Sequence, residues 1–144
     1  MKRVFAFMAV AALALALGGC GGSGGGQPSR AALDFDGSGA TDTGQGVMYI
    51  ATAGGTSEGG NVPQITGGTL VQIGLDIEGM DGSVCTVYVD GMENDKLNAG
   101  ERTQNSISLT GDALKKGVHT VELVKLDDSG NPVIYKVAQY EVVE

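Results

Sequence analysis

The chain has 144 residues and a formal charge of −8, with 17 acidic side chains against nine basic ones. This balance argues against nucleic acid as a partner, because neutralising phosphates requires clustered Lys and Arg. It also argues against electrostatic docking on anionic lipid. Because the chain has no Trp and only three Phe, its core must be built mainly from Val, Ile and Leu.

The amino terminus has the features of an export signal. Lys2 and Arg3 precede an apolar run from Val4 to Leu17, and small residues lead from there to Cys20. A charged region, a short apolar region and small residues at a cleavage site are typical of a secretory signal peptide. The apolar run is too short to span a bilayer, which needs about 20 apolar residues. We therefore expect residues 1–19 to be a signal peptide.

The end of this signal, Leu17-Gly18-Gly19-Cys20, resembles the lipobox of bacterial lipoproteins. The resemblance implies diacylation of the Cys20 thiol, cleavage before this residue, and acylation, typically with palmitate, of the new amino terminus. An ordinary secretory signal would tolerate Ala at position 20, so the cysteine is the discriminating residue. Several acyl chains anchor a protein stably, whereas one binds only marginally. We expect a lipid-anchored protein of the cell membrane or outer membrane, with its domain outside the cytoplasm.

Cleavage would leave a tether followed by one domain. Removing Lys2 and Arg3 with the signal leaves seven basic and 17 acidic side chains, a charge of −10. Residues 20–46 begin with the modified cysteine and continue as a Gly-, Ser- and Asp-rich segment, which is typical of a flexible tether. Cys85 is then the sole remaining thiol, so the domain has no intramolecular disulfide. We place the folded domain at residues 47–144.

The domain shows apolar runs that alternate with turn signals at short intervals, the pattern of an antiparallel sandwich or barrel. The clearest strand covers residues 69–77, where apolar side chains occur at every second position. The other predicted strands are 47–51, 84–90, 106–109, 118–126 and 133–143. Residues 53–60 are predicted as a loop, 91–102 as a long polar connection with room for a short edge strand, and 110–117 as a single helical turn.

The last two strands carry a resemblance to a known fold. The segment GVHTVELVKLDDSGNP, followed by VAQYEVV, is similar to the closing hairpin of bacterial Ig-like domains, and VCTVYVDG is similar to their middle strand and turn. The chain lacks the paired cysteines and core Trp of antibody-type domains. The resemblance implies an all-β, Ig-like antiparallel β-sandwich of about seven strands with a role in adhesion, spacing or assembly. It assigns no functional residues.

The stretch DFDGSGATDTGQ, residues 34–45, has the spacing of a calcium loop. An EF-hand loop places oxygen ligands at positions 1, 3, 5, 9 and 12 and glycine at position 6. The ligand positions here hold Asp34, Asp36, Ser38, Asp42 and Gln45. Because Gln45 cannot supply a bidentate carboxylate and no helical pattern flanks the loop, the alternative is a plain solvated linker. A calcium site here would be weak, with a dissociation constant of about 10⁻⁴–10⁻³ M.

The sequence contains few of the residue patterns that are typical of catalytic sites. Cys85 and His119 fall on strands that are neighbours in an Ig-like sheet, and a Cys–His pair is the core of thiol catalysis. Their alternation, however, predicts that both face the core, where a thiol is unreactive. The nucleophile-elbow motif G-x-S-x-G does not occur. Of the four tyrosines, Tyr88 is predicted to be the most exposed, because it lies on the strand face opposite Cys85.

We therefore expect a lipid-anchored binding or structural module of the cell envelope that is not an enzyme and has no cofactor apart from the calcium option. Its predicted partners are the membrane, through the lipid on Cys20, and an envelope protein or polysaccharide. One alternative is a calcium-dependent adhesion or carbohydrate-binding module. Another is an envelope hydrolase or redox protein. The sequence leaves open the identity of the partner, the type of envelope and the oligomeric state.

Overall fold

The computed structural model describes Ala32 and residues 42–144, which form two β-sheets packed face to face. Nine strands make up the sheets: β1 (Val47–Thr52), β2 (Gly55–Thr56), β3 (Gln64–Thr66), β4 (Val71–Glu78), β5 (Ser83–Val89), β6 (Met92–Ala99), β7 (Arg102–Leu109), β8 (Gly117–Leu126) and β9 (Pro132–Val143). Two short 3-10 turns, Glu58–Gly60 and Gly111–Leu114, lie in the connections.

The strand order is that of an Ig-like sandwich, which confirms the predicted fold class. One sheet has the order β2-β1-β4-β7, and the other has the order β3-β9-β8-β5-β6. All pairings are antiparallel except that of β3 with β9. The strands β1, β4 and β7 therefore correspond to A, B and E of an immunoglobulin domain, and β5, β8 and β9 correspond to C, F and G.

The core lies between the two sheets and follows the period-two pattern of the sequence. In β4, Ile73, Leu75 and Ile77 are buried, and the residues between them are not. Val121 and Leu123 of β8 face them from the other sheet and are also fully buried. Fully burying one such side chain contributes about 1.5–3 kcal/mol, so this aliphatic layer is the main source of stability.

The turn between β5 and β6 is fixed by an Asp-Gly pair. Asp90 and Gly91 both have positive φ angles, 51° and 75°, and the flanking Val89 and Met92 are paired. These are the features of a type I′ hairpin, for which Asp-Gly is one of the preferred sequences. The tight turn sends the chain directly back as β6, which extends the five-stranded sheet by one edge strand.

The structure differs from the sequence predictions mainly where strands are polar or very short. The predicted connection 91–102 contains the eight-residue strand β6, in which only Leu97 and Ala99 are buried. Edge strands are often polar, and this hides them from a search for apolar alternation. β7 begins at Arg102 rather than at residue 106, and the predicted loop 53–60 contains β2 and a 3-10 turn. The helical turn in 110–117 is confirmed as the 3-10 turn.

Residues 42–46 dock on the sandwich before β1 begins. Thr43 forms an antiparallel bridge with Tyr135 of β9, and Ala32 forms one with Met92 of β6. At Gly44 any side chain would overlap the carbonyl group of Val133, so glycine permits this close approach. The end of the predicted tether is therefore packed against the domain. Within the described residues, no helix has the length and apolarity needed to cross a membrane.

Candidate functional site

The predicted calcium ligands are only partly within the described residues. Asp34, Asp36 and Ser38 lie outside them, as do Cys20 and the signal peptide. The carboxylate of Asp42 accepts a hydrogen bond from the ammonium group of Lys136, and Gln45 is exposed. A calcium ion bound by Asp42 would therefore compete with a neighbouring cation. In the described part of the chain, no group of three or more His, Cys, Asp or Glu is arranged to hold a metal ion.

Cys85 and His119 both face the core, as predicted, but they do not form a pair. The register pairs Val89 of β5 with Val121 of β8, so Cys85 and His119 lie six residues apart along the sheet. At about 3.3 Å per residue, this separation is roughly 20 Å. Cys85 is 1% exposed, and burial raises the pKa of its thiol. The thiol is therefore a core side chain and is not activated as a nucleophile.

His119 instead belongs to a hydrogen-bonded cluster at one end of the sandwich. Its Nδ1 lies 2.7 Å from a carboxylate oxygen of Asp90, and its Nε2 lies 2.6 Å from the carbonyl oxygen of Lys115. Its ring stacks on Tyr140, with centroids 5.1 Å apart, and the Tyr140 hydroxyl donates to the carbonyl of Ala113 (2.7 Å). These bonds tie the 3-10 turn and the β5–β6 turn to the two central strands.

The surroundings of His119 favour its charged form. Burial lowers the pKa of the imidazole, but the hydrogen bonds to Asp90 and to the Lys115 carbonyl and the charge of Asp90 together raise it above its usual value. Because both ring nitrogens face acceptors, only the doubly protonated ring can donate to both. We interpret this cluster as a structural clamp.

One serine has a lysine neighbour, as some hydrolases do. The Lys125 ammonium donates to the Ser83 hydroxyl (2.6 Å), and that hydroxyl donates to Asp81. The Asp81 carboxylate also accepts the Ser83 backbone N–H (3.0 Å), and these two bonds lower the pKa of Asp81. Ser83 therefore donates to Asp81 and accepts from Lys125. The group is a capped turn that leads into β5.

The best-formed candidate site is a cleft of about 410 Å³ between the edges of β1 and β9, which we call the edge cleft. Its walls come from both sheets and from the chain between β2 and β3. The lining residues are Asp42, Val47, Met48, Tyr49, Ser57, Gly59, Gly60, Asn61, Val62, Lys136, Val137, Ala138 and Gln139. Its volume falls within the range of ligand pockets in proteins.

The edge of β9 in this cleft is paired with described residues at both of its ends. Residues of a strand direct their backbone groups to alternate sides. On the side away from β8, Tyr135 exchanges two hydrogen bonds with Thr43 (3.0 and 3.1 Å), and Glu141 donates to the chain just before β3 (3.0 Å). Val137 and Gln139 point to this same side. Among the described residues, none forms a backbone hydrogen bond with them there.

The opposite wall of the cleft is the edge of β1. In β1, the N–H of Ile50 donates to the Ser57 hydroxyl (2.8 Å), and the C=O of Ile50 accepts the Ser57 N–H (2.9 Å) on the side away from β4. Met48 has the same orientation, and no described residue is hydrogen-bonded to its backbone on that side. Within residues 42–144, backbone donors and acceptors of both sheets thus have no hydrogen-bond partner in this cleft.

The mouth of the edge cleft is apolar and close to neutral. Val47, Val62 and Val137 line it and are 38%, 39% and 45% exposed. At its base the Lys136 ammonium is buried and is neutralised by Asp42. Neighbouring exposed apolar side chains with free polar groups between them are typical of binding surfaces.

A second feature lies on the outer face of the four-stranded sheet. The register places Tyr49 beside Asp76 and Asp76 beside Gln104, and the Gln104 amide donates to the Asp76 carboxylate (3.1 Å). In the next row an ion pair joins Arg102 to Glu78 (3.5 Å). A depression of about 380 Å³ overlies these residues. An aromatic ring beside amide and carboxylate groups is suited to sugars.

The edge cleft is not predicted by the sequence. Part of its wall comes from Asp42 and from the chain around the first 3-10 turn, and neither segment has a strong sequence pattern. The sequence does contain one relevant signal, because Gly59 and Gly60 break the chain before Pro63. These glycines predict that the chain forms a turn, and not a strand, before it enters β3.

No protein-family model matches the chain, and no curated protein matches it. One similar set of solved structures is "Structures of Clostridium thermocellum CbhA fibronectin(III)-like modules", with 13% identity and a TM-score of 0.38 over 57% of this chain and 88% of that chain. The fold assignment rests on the strand order of the two sheets.

Proposed function

We propose that this chain is a lipid-anchored, non-catalytic module of the bacterial cell envelope that binds another envelope macromolecule through the edge cleft. The lipobox at Cys20 supports the anchor, and the edge cleft supports binding. The edge cleft is the observation that carries the binding role, because it combines a volume typical of ligand pockets with an exposed apolar rim.

The tether would set how far the domain reaches. Ala32 is docked at β6, so 11 residues remain between it and Cys20. A chain of that length spans at most about 40 Å when fully extended. A lipid on Cys20 would therefore hold the domain close to the membrane surface. Such an arrangement suits a module that holds a partner near the membrane.

Cell fractionation tests the anchor. In a bacterium that processes lipoproteins, the wild-type protein is expected in the membrane fraction, and Cys20→Ala is expected in the soluble fraction or as an unprocessed precursor. Cys85→Ala is the matched control, because it removes the other cysteine and leaves the lipobox intact. Equal distribution of the wild type and Cys20→Ala would contradict lipid anchoring.

Sugar binding is a second candidate function, and the row of Tyr49, Asp76 and Gln104 favours it. A pyranose ring could stack on Tyr49 while its hydroxyls bond Asp76 and Gln104. Co-sedimentation with purified cell-wall polysaccharide tests this role. Tyr49→Ala should reduce the bound fraction, whereas Tyr88→Ala, on the outer face of the other sheet, should not. Equal retention of both variants would contradict a sugar site at Tyr49.

A further inference from the structure

We propose that residues 115–117, which link the 3-10 turn Gly111–Leu114 to β8, form a pH-operated latch. The latch is closed when the ring of His119 carries two protons and open when it carries one. His119 is the sole histidine of the chain, so a single ring controls the latch. Histidine is also the side chain whose ordinary titration falls between about pH 5 and about pH 8. A domain outside the cytoplasm, as proposed above, is exposed to the pH of its surroundings.

The ring of His119 is held between two oxygen acceptors. Its Nδ1 lies 2.7 Å from Oδ2 of Asp90, and its Nε2 lies 2.6 Å from the carbonyl oxygen of Lys115. A doubly protonated ring donates to both oxygens, whereas a neutral ring has one N–H and one nitrogen lone pair. That lone pair would face an oxygen atom at hydrogen-bond distance, which is repulsive. The neutral ring therefore gives up one of its two contacts.

The contact with Asp90 is the one that the neutral ring keeps. Asp90 is fixed to β8 by two further bonds, because its backbone N–H donates to the Thr120 carbonyl and its Oδ1 accepts the Thr120 N–H (both 2.9 Å). Its carboxylate is charged, and hydrogen bonds to charged groups are roughly twice as strong as those between neutral groups. The remaining proton therefore stays on Nδ1, and the contact of Nε2 with the Lys115 carbonyl is lost.

The link can move while the elements on either side of it stay in place. Gly117 has a φ angle of 136°, which glycine adopts without the strain that other residues meet, and it therefore serves as a pivot at the start of β8. The 3-10 turn is held separately, because the Tyr140 hydroxyl donates to one of its carbonyls (2.7 Å). Lys116 pairs with Glu144 beyond the end of β9 (2.9 Å). Opening the latch would thus also loosen the contact between the link and the end of β9.

The charged and titratable groups around the ring set the direction of the response. Burial lowers the pKa of His119, but the hydrogen bond and the charge of Asp90, from the β5–β6 turn, and the bond to the Lys115 carbonyl raise it above its ordinary value. Tyr140 stacks on the ring from β9, and burial raises its pKa, so it stays protonated. The Lys115 ammonium is paired with Asp112 (2.8 Å). The latch is therefore closed below the raised pKa of His119 and opens as the pH rises through it.

An NMR titration of the mature chain with Cys20→Ala tests the latch. The ring signals are unambiguous because the chain has one histidine. Between about pH 5 and about pH 9 we expect the amide signals of Lys116 and Gly117 to shift with the same midpoint as the ring signals. This midpoint should lie above the ordinary value of 6.5. At the alkaline end, the nitrogen shifts of the ring should show the proton on Nδ1.

Two matched variants identify the controlling charge. Asp90→Asn removes the carboxylate and suits the turn, because Asn-Gly is a preferred sequence of type I′ hairpins. The midpoint should fall by about one pH unit, since the charge that favours the doubly protonated ring is gone. Asp112→Asn removes a charge that pairs with Lys115 and not with the ring, so the midpoint should stay close to that of the parent chain. In His119→Gln the amide signals of the link should not depend on pH in this range.

Three results would overturn the proposal. The first is a link whose amide signals do not follow the ring, which would mean that residues 115–117 keep their position in both protonation states. The second is a neutral ring with its proton on Nε2, which would mean that the Lys115 contact is kept and the Asp90 contact is lost. The third is an equal fall of the midpoint in Asp90→Asn and Asp112→Asn, which would mean that Asp90 has no specific role.

Discussion

Replacing Asp42 by Asn should destabilise the domain more than its exposed position suggests. The Lys136 ammonium donates to the Asp42 carboxylate and to the carbonyl of Gly44 (2.9 Å). The Lys136 side chain is 3% exposed, whereas that of Asp42 is 66% exposed. The substitution leaves a buried cation with one neutral carbonyl and a weaker amide partner. The penalty therefore comes from the uncompensated charge on Lys136.

The loss of free energy of unfolding that we expect from Asp42→Asn lies between two limits. Breaking a fully buried ion pair costs about 3–5 kcal/mol, and breaking an exposed one costs about 0–1 kcal/mol. Since one partner here is buried and the other is largely solvated, we expect Asp42→Asn to lower the free energy of unfolding by about 1–3 kcal/mol. Lys136→Met removes the charge and keeps an apolar stem, so it should cost less than about 1 kcal/mol.

Urea unfolding of the mature Cys20→Ala chain measures these changes. The double variant should be as stable as Lys136→Met alone, because Asp42 has no role once the cation is gone. If Asp42→Asn costs less than Lys136→Met, or if the two costs simply add, water already solvates the ammonium and the reasoning is wrong.

Further predictions concern protonation, thiol reactivity and calcium. Since the pKa of His119 is raised in the folded state, its stabilisation is fully present below the ordinary value of 6.5 and is lost as pH rises through the raised pKa; His119→Gln should flatten this slope in unfolding measured from about pH 5 to about pH 9. Cys85 should react slowly with iodoacetamide in the native state and rapidly in denaturant. Calorimetric titration of residues 27–144 with calcium should give no heat or a dissociation constant of about 10⁻⁴–10⁻³ M, and Asp34→Ala with Asp36→Ala should abolish any heat.

Each of these three predictions has an outcome that would contradict it. A pH slope that persists in His119→Gln would assign the dependence to another group. Rapid native alkylation of Cys85, accompanied by loss of an activity in Cys85→Ser, would support the enzyme alternative. Calcium heat that persists in the double Ala variant would place a site elsewhere in the domain.

The fold class and the long strands could be predicted from the sequence, because apolar residues alternate with polar ones along a strand that buries one face. Residues 71–77 show this most clearly, since this strand has one face in the core, whereas β8 is buried on both faces over residues 121–124. β6 was predicted only as a polar connection with room for a short edge strand, because an edge strand with two buried residues has almost no apolar period. Burial alone thus explains both the success and the failure.

The edge cleft could not be predicted from the sequence, and the reason is different. The edge cleft depends on which segments meet beside β1 and β9, and that is a property of register and topology. The residues around Val137 and Gln139 read as an ordinary continuous strand in the sequence. Asp42 was identified as a possible calcium ligand, but its partner Lys136 lies far along the chain and meets it only through folding.

The intact mass of the mature protein from bacterial membranes tests the central claim most directly. A lipid-anchored module that begins at Cys20 should show the mass of residues 20–144 plus the added diacylglyceryl and acyl groups, and a lipase-sensitive or base-labile part of that addition. The Cys20→Ala protein should show no such addition. An unmodified chain that begins at Cys20 or elsewhere, or an intact chain that retains Met1, would contradict the account.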